Sequence, residues 1–357
     1  MAKAKFTKTK ISGIVTVIPH IKKCIDDEVE LFGGDAKQIE RIKKTIGLNT
    51  RYVSDENTTT ADLCQDAAST LLKGLKMDRS EVDGLIFVSQ TPDYYSQPFT
   101  AACLHGKMGL PKDCAAFDVN LGCSGYVYGL WLANMMVSSG TAKNVLLLVG
   151  DTTTKIVNPR DRATASLFGD AGTATMIQRS DKESPSYFVL HTDGSGWEHI
   201  IVPAGGCRIP RTPETSVEVK YEDGNVRSKE NLYMNGAEVF TFSVGVEPPA
   251  IMEMLEYSGK KLEDIDHIFF HQANRYIISN IMRRLKFPLE KAPADTVEKY
   301  GNQSSASIPS TICDTIADKV SSGKEQVLMS GFGVGFSWAS CVLTLENIFC
   351  KFKFFGE

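Results

Sequence analysis

The sequence predicts an α/β protein with a mainly parallel sheet, and three observations carry that prediction. Short apolar runs recur along the chain with longer helical patterns between many of them, the alternation that builds a parallel sheet covered by helices. Hydrophobic residues make up 42% and charged residues 23% of the 357 residues, which fits a folded chain with a large core and excludes a disordered one. Two of the apolar runs, ending at Val88 and Phe270, each follow a short acidic loop, 79–83 and 262–266. That echo points to an internal duplication, with halves at 1–180 and 181–357.

The elements follow in order. Apolar runs at 14–18, 85–88 and 145–149 are bounded by polar or glycine residues and have the length of buried strands. Runs at 174–177, 187–190, 268–270, 327–329 and 341–345 continue the series, while 60–75, 239–255 and 306–320 carry apolar positions at helical spacing. Residues 121–142 contain no charged side chain over 22 positions, enough to span a membrane. Gly122, Gly125, Gly129, Asn134, Ser138 and Gly140 instead favour a helix buried on all sides. The stretch 203–230, rich in Pro, Gly and charge, reads as a surface excursion. The tail 348–355 alternates apolar and basic residues and is expected to extend the last strand or remain disordered.

A candidate nucleophile stands out. Residues 116–119 read as a short strand, 120–122 as a tight turn, and 123–139 as a helix closed by Gly140. Cys123 then sits at a helix N-terminus, where unsatisfied N–H groups and the positive end of the macrodipole favour thiolate over thiol. Most free cysteines are inert core residues, so two further segments decide the matter. His271 closes the apolar run 266–270 and opens Gln272-Ala273-Asn274-Arg275, which leads into a helix to about residue 285; the rim of a parallel sheet is where α/β proteins place their chemistry. Asn302 lies in a loop of small residues, 300–307, ahead of another helix, where its amide can donate a hydrogen bond. A nucleophile and two polar groups on separate strand-end loops can hold and activate a carbonyl.

Composition excludes several other classes. A formal net charge of -4 argues against a general nucleic-acid binder, and the basic start Met1-Ala2-Lys3-Ala4-Lys5 lacks the apolar stretch of a secretory signal, so a cytoplasmic protein is expected. Nine cysteines without a Cys-x-x-Cys pair predict reduced thiols and no structural metal. Gly331 to Gly335 is spaced Gly-x-Gly-x-Gly and precedes a strand-like run rather than a helix. That disfavours a dinucleotide cofactor, and no cofactor is expected. Glycines there let the backbone approach a neighbouring group closely.

The segments around Cys123, His271-Gln272-Ala273-Asn274 and Gly301-Asn302, together with Phe168-Gly169-Asp170-Ala171-Gly172 and the run 331–338, resemble β-ketoacyl-ACP synthase III, a condensing enzyme of the thiolase fold. The likeness runs from about residue 11 to about residue 345. It implies two similar halves in a five-layered αβαβα sandwich with the active site between them. It further implies acyl transfer from an acyl-CoA or acyl-ACP to Cys123, then decarboxylative Claisen condensation with malonyl-ACP. His271, as a neutral donor, and Asn302 would hold the malonyl thioester oxygen, and the backbone N–H groups of Cys123 and Val334 would form the oxyanion hole. Arg162 and Asn274 match positions that contact the pantetheine carrier; Phe168, Gly236 and Phe332 match positions lining the acyl pocket or carrier tunnel. The loop 91–99 corresponds to one that closes the neighbouring subunit's pocket, which implies a homodimer.

Departures from the family pattern narrow the expectation. Val334 stands where the family usually has glycine, which would narrow the acyl tunnel or alter the turn. Arg41 and Thr45 replace a tryptophan and an arginine that hold the coenzyme A nucleotide, and Thr241 and Tyr276 replace carrier-facing basic residues, with Arg275 adjacent. These changes imply a specialised paralogue that takes its starter from an acyl-ACP or an unusual CoA ester. The alternatives are a thiolase-fold acyltransferase acting on a small-molecule hydroxyl or amine, and a non-catalytic partner in a heterodimeric synthase. The intact Cys123, His271 and Asn302 set favours condensation.

Overall fold

Two sheets with helices between and outside them organise the chain in the computed structural model, which describes residues 2–222 and 224–357. Their strands are β1 (Ala2–Phe6), β2 (Thr9–Ile18), β3 (Gly84–Val88), β4 (Ala115–Val119), β5 (Asn144–Asp151), β6 (Ala171–Arg179), β7 (Ser186–Thr192), β8 (His267–Phe270), β9 (Lys324–Gly333), β10 (Ser337–Glu346) and β11 (Phe349–Phe354). The helices are α1 (Ala36–Ile46), α2 (Thr60–Leu75), α3 (Thr100–Met108), α4 (Gly125–Ser138), α5 (Gly236–Ser258), α6 (Arg275–Leu285), α7 (Thr296–Tyr300), α8 (Ser307–Thr315) and α9 (Ala317–Ser322). The six-stranded sheet runs β11-β2-β6-β5-β3-β4 and the five-stranded sheet β1-β7-β10-β9-β8.

Alternation along the strands sets the layers. Leu85 and Phe87 of β3 point to the core under α2 and α3, while Ile86 and Val88 point to the core around α4. Both faces are buried, so the strands read as continuous apolar runs. α4 and α8 each touch strands of both sheets and form the middle layer. With α2 and α3 outside one sheet and α5 and α6 outside the other, the order is the expected αβαβα. The uncharged run around α4 is a buried central helix, and among the described residues no helix is long and apolar enough to cross a membrane.

Four expectations need correction. The sheets are mixed rather than mainly parallel: β2, β5 and β6 pair antiparallel in succession, as do β9, β10, β7 and β1. The cause is that β6 and β10 turn back on β5 and β9 without a crossover helix, and only a crossover makes neighbours parallel. The single helix expected over 306–320 divides at Ile316, whose φ of -130° and ψ of 16° leave the helical region. The helix after Cys123 starts two residues late, at Gly125. The tail neither extends β10 nor dissolves: it turns at Asn347 and adds β11 to the other sheet, parallel to β2. The expected boundary near residue 180 falls between β6 and β7, but β1 and β11 cross it to join the sheet of the opposite half.

Candidate active site

Cys123 and Ser124 form the turn into α4, packed against the β9–β10 hairpin. Ser124 Oγ lies 2.7 Å from Ser337 Oγ, which in turn donates to the Val334 carbonyl at 2.8 Å. This approach requires glycine. A Cβ at Gly333, whose φ is +156°, would stand 2.7 Å from Cys123 Sγ, and one at Gly331 would stand 2.7 Å from the Cys123 carbonyl oxygen. The result is a half-buried cysteine whose sulfur lies close to the Val334 N–H and its own N–H.

Burial pushes the Cys123 thiol up to about 11; the nearby Asp151 carboxylate adds to the push, while the two N–H donors and the Ser304 hydroxyl oppose it. The thiolate expected from the helix end alone is therefore corrected. Desolvation outweighs it, and the group rests as a thiol near neutrality.

His271 follows β8, its N–H donating to the Ser330 carbonyl at 2.8 Å, and its ring meets Phe332 edge to face at 5.6 Å. It is buried, and burial lowers its pKa to about 4, so the ring is neutral, as expected of a hydrogen-bond donor. Its Nδ1 is 2.8 Å from Ser307 Oγ. Asn302 is tied to the first half of the chain: its N–H donates to the Leu167 carbonyl at 2.9 Å, and the Gly169 N–H donates to its carbonyl at 3.1 Å. Its Oδ1 accepts the Ser304 N–H at 2.9 Å. An N–H can pair only with the amide oxygen, so Nδ2 is left as the donor.

Sequence reasoning missed the group that joins these loops. Asp151, at the buried end of β5, accepts from the Gln90 N–H at 2.8 Å and the Ser89 and Thr91 hydroxyls on one side, and from the Ser305 hydroxyl at 2.7 Å on the other. It holds the turn after β3 against the turn after Asn302. Its only trace in the sequence is an acid closing an apolar run.

Cys123, His271, Asn302 and Val334 all line one cavity of about 760 Å³, including its open mouth. Phe168, Gly236, Asn274 and Phe332 line it as well. Arg162 does not: it is exposed, with its N–H donating to Asn225 Oδ1 at 3.1 Å. Asn274 has a second duty, since its Oδ1 caps α6 by accepting the Ile277 N–H at 2.8 Å. Unforeseen wall residues include Gln90, Ile156, Leu232, Met234 and Ile277. The excursion 203–230 ends beside the cavity, anchored where Arg227 stacks on Tyr221 and Tyr233 and reaches Asp161. Val334 Cγ2 would stand 3.2 Å from a Cβ placed on Gly122, so this side chain fills the space over the Cys123 turn. Arg275 is engaged by Glu298 at 2.7 Å, and Tyr276 stacks on Phe240.

Comparison with known proteins matches this geometry to one family. Residues 117–194 match the family model "3-Oxoacyl-[acyl-carrier-protein (ACP)] synthase III", and residues 255–345 match the model of its C-terminal part. A relative from Campylobacter jejuni is 40% identical over 98% of this chain and 97% of its own length. The beta-ketoacyl-[acyl-carrier-protein] synthase III of Campylobacter fetus is 34% identical over 94% of this chain and 98% of its own. Among solved structures, a 3-oxoacyl-(acyl-carrier protein) synthase from Burkholderia xenovorans superposes with a TM-score of 0.92 at 37% identity, covering 99% of both chains.

Proposed function

This chain belongs to the 3-oxoacyl-[acyl-carrier-protein] synthase III family of condensing enzymes, and from that membership we propose how its cavity runs the reaction. The Cys123 sulfur attacks the carbonyl of an acyl thioester. The oxyanion that forms is held by the N–H groups of Cys123 and Val334, which lie beside the sulfur. The carrier leaves as a thiol, taking the proton that Cys123 gives up. Malonyl-ACP follows, and His271 and the Asn302 Nδ2 donate to its thioester oxygen as carbon dioxide departs and the enolate forms. The enolate carbon attacks the acyl-cysteine, the carbon–sulfur bond breaks, and the sulfur regains a proton from solvent.

The observation that carries this reading is the convergence of a thiol, a neutral imidazole and an oriented amide donor on one cavity with apolar walls. Acyl transfer to a small-molecule acceptor would need no second donor pair aimed at a malonyl oxygen. The replaced nucleotide-binding positions, Arg41 and Thr45 on the exposed side of α1, support a starter delivered by an acyl-ACP or an unusual CoA ester. Tyr94, Tyr95 and Phe99 stand 52%, 72% and 47% exposed on the loop 91–99, which supports a homodimer closed by that loop.

Intact-protein mass spectrometry tests the proposal. After incubation with acyl-CoAs and acyl-ACPs, an acyl adduct is expected on the protein and absent from Cys123→Ala, and malonyl-ACP is expected to release carbon dioxide. No adduct from any donor would overturn the reading.

A further inference from the structure

Three groups converge on one buried hydroxyl. Ser307 Oγ lies 2.8 Å from His271 Nδ1, 2.9 Å from the Ser304 carbonyl oxygen and 3.2 Å from the Gln272 N–H. Ser307 and His271 are 1% and 2% exposed, so this contact set is closed to bulk solvent. A hydroxyl has one proton and two lone pairs. The Gln272 N–H takes one lone pair, which leaves the proton to choose between the Ser304 carbonyl and His271 Nδ1.

That choice fixes the chemistry of the other ring nitrogen. If the proton goes to Ser304, the remaining lone pair must accept an Nδ1–H, and the neutral ring then presents a bare Nε2. If it goes to Nδ1, the ring must carry its own proton on Nε2, and the cavity receives a donor. Burial removes the charged ring as a third option near neutral pH. Condensation as described above needs the second state.

We propose that Ser307 is the positioning residue that sets the tautomer of His271, donating to Nδ1 so that Nε2–H faces the malonyl thioester oxygen. This rests on the ketosynthase reading of the cavity. Ser307 does not line the cavity. It acts through the ring alone, from the first turn of α8. The Ser304 backbone already interacts with the ring and favours its protonation, so without the competing Ser307 hydroxyl the Nδ1–H tautomer is favoured. Acylation of Cys123 does not use Nε2–H, so the two half-reactions respond differently.

The test follows both half-reactions and the ring itself in the full-length protein. Histidine-selective 15N NMR, with the His271 signals assigned by their loss in His271→Ala, is expected to show Nε2 protonated and Nδ1 bare in the wild type and the reverse in Ser307→Ala. Ser307→Ala is expected to lose about 10²-fold in carbon dioxide release from malonyl-ACP, with acyl-adduct formation on Cys123 within a few-fold of wild type. Ser307→Thr, which keeps the hydroxyl, is expected to restore the wild-type tautomer. A wild-type ring already protonated on Nδ1, or undiminished carbon dioxide release in Ser307→Ala, overturns the inference. Absence of both adduct and carbon dioxide in the wild type would instead sink the ketosynthase reading beneath it.

Discussion

At the scale of single residues, the resting state of Cys123 is set by desolvation against a few hydrogen bonds. With its pKa pushed up to about 11, the thiolate fraction rises with pH across the whole accessible range. The rate of carbamidomethylation of Cys123 by iodoacetamide is therefore expected to climb about tenfold per pH unit from pH 7 to 10, since thiolate is the reacting form. A plateau near pH 7 would mean that the helix end prevails over burial. Cys123, His271 and Asn302 were legible in the sequence because each sits next to a recognisable strand or small-residue loop. Asp151 and Ser307 were not, because an acid at a strand end and a serine in a polar loop acquire their roles only from partners 154 and 36 positions away. The high thiol pKa was also hidden, because helix position can be read locally and burial cannot.

At the scale of elements, strand positions were legible and strand directions were not. Apolar runs mark buried strands whichever way they point, so nothing in β5–β6 or β9–β10 announced an antiparallel return. β11 shows the same limit. Its alternation of Cys350, Phe352 and Phe354 with Lys351 and Lys353 is a strand pattern, but its destination depends on a contact made far away in the chain. Lys353, only 4% exposed, reaches Asp66 of α2 at 2.7 and 2.9 Å, and Asp66 also accepts the Gly356 N–H at 2.8 Å. Removing the lysine leaves a partly buried carboxylate without its cation. Lys353→Ala is expected to destabilise the protein by about 2 kcal/mol, less than for a fully buried pair because Asp66 retains some access to water. The shift of the urea midpoint measures it, and a variant as stable as wild type would show that β11 is held by its apolar side chains and ladder alone.

At the scale of the whole molecule, pH acts on stability through a carboxyl far inside the five-stranded half. Glu247 of α5 is fully buried, accepts the Ser330 hydroxyl at 2.6 Å, and is held by burial at about 8. An unfolded glutamate loses its proton near pH ~4.3. Between those values the unfolded chain is deprotonated while the folded one is not, so the group's contribution to stability is complete at low pH and is lost as pH rises towards 8. Glu247→Gln, neutral at every pH, is expected to gain stability over wild type as pH rises from 5 to 8, by a few kcal/mol at the upper end. A urea-midpoint difference that stays constant over that range would show Glu247 already ionised. The exchange of strands between the halves, β1 into the five-stranded sheet and β11 into the six-stranded one, bears on how such a chain comes to fold. Until β11 has been made β2 is left with a bare edge, and the β7 edge is taken by a strand made before β2. Neither half can finish its own sheet from its own length of chain. β11 is made after every other strand of the sheet it closes, so the two halves are committed to folding as a single unit, each holding a strand of the other.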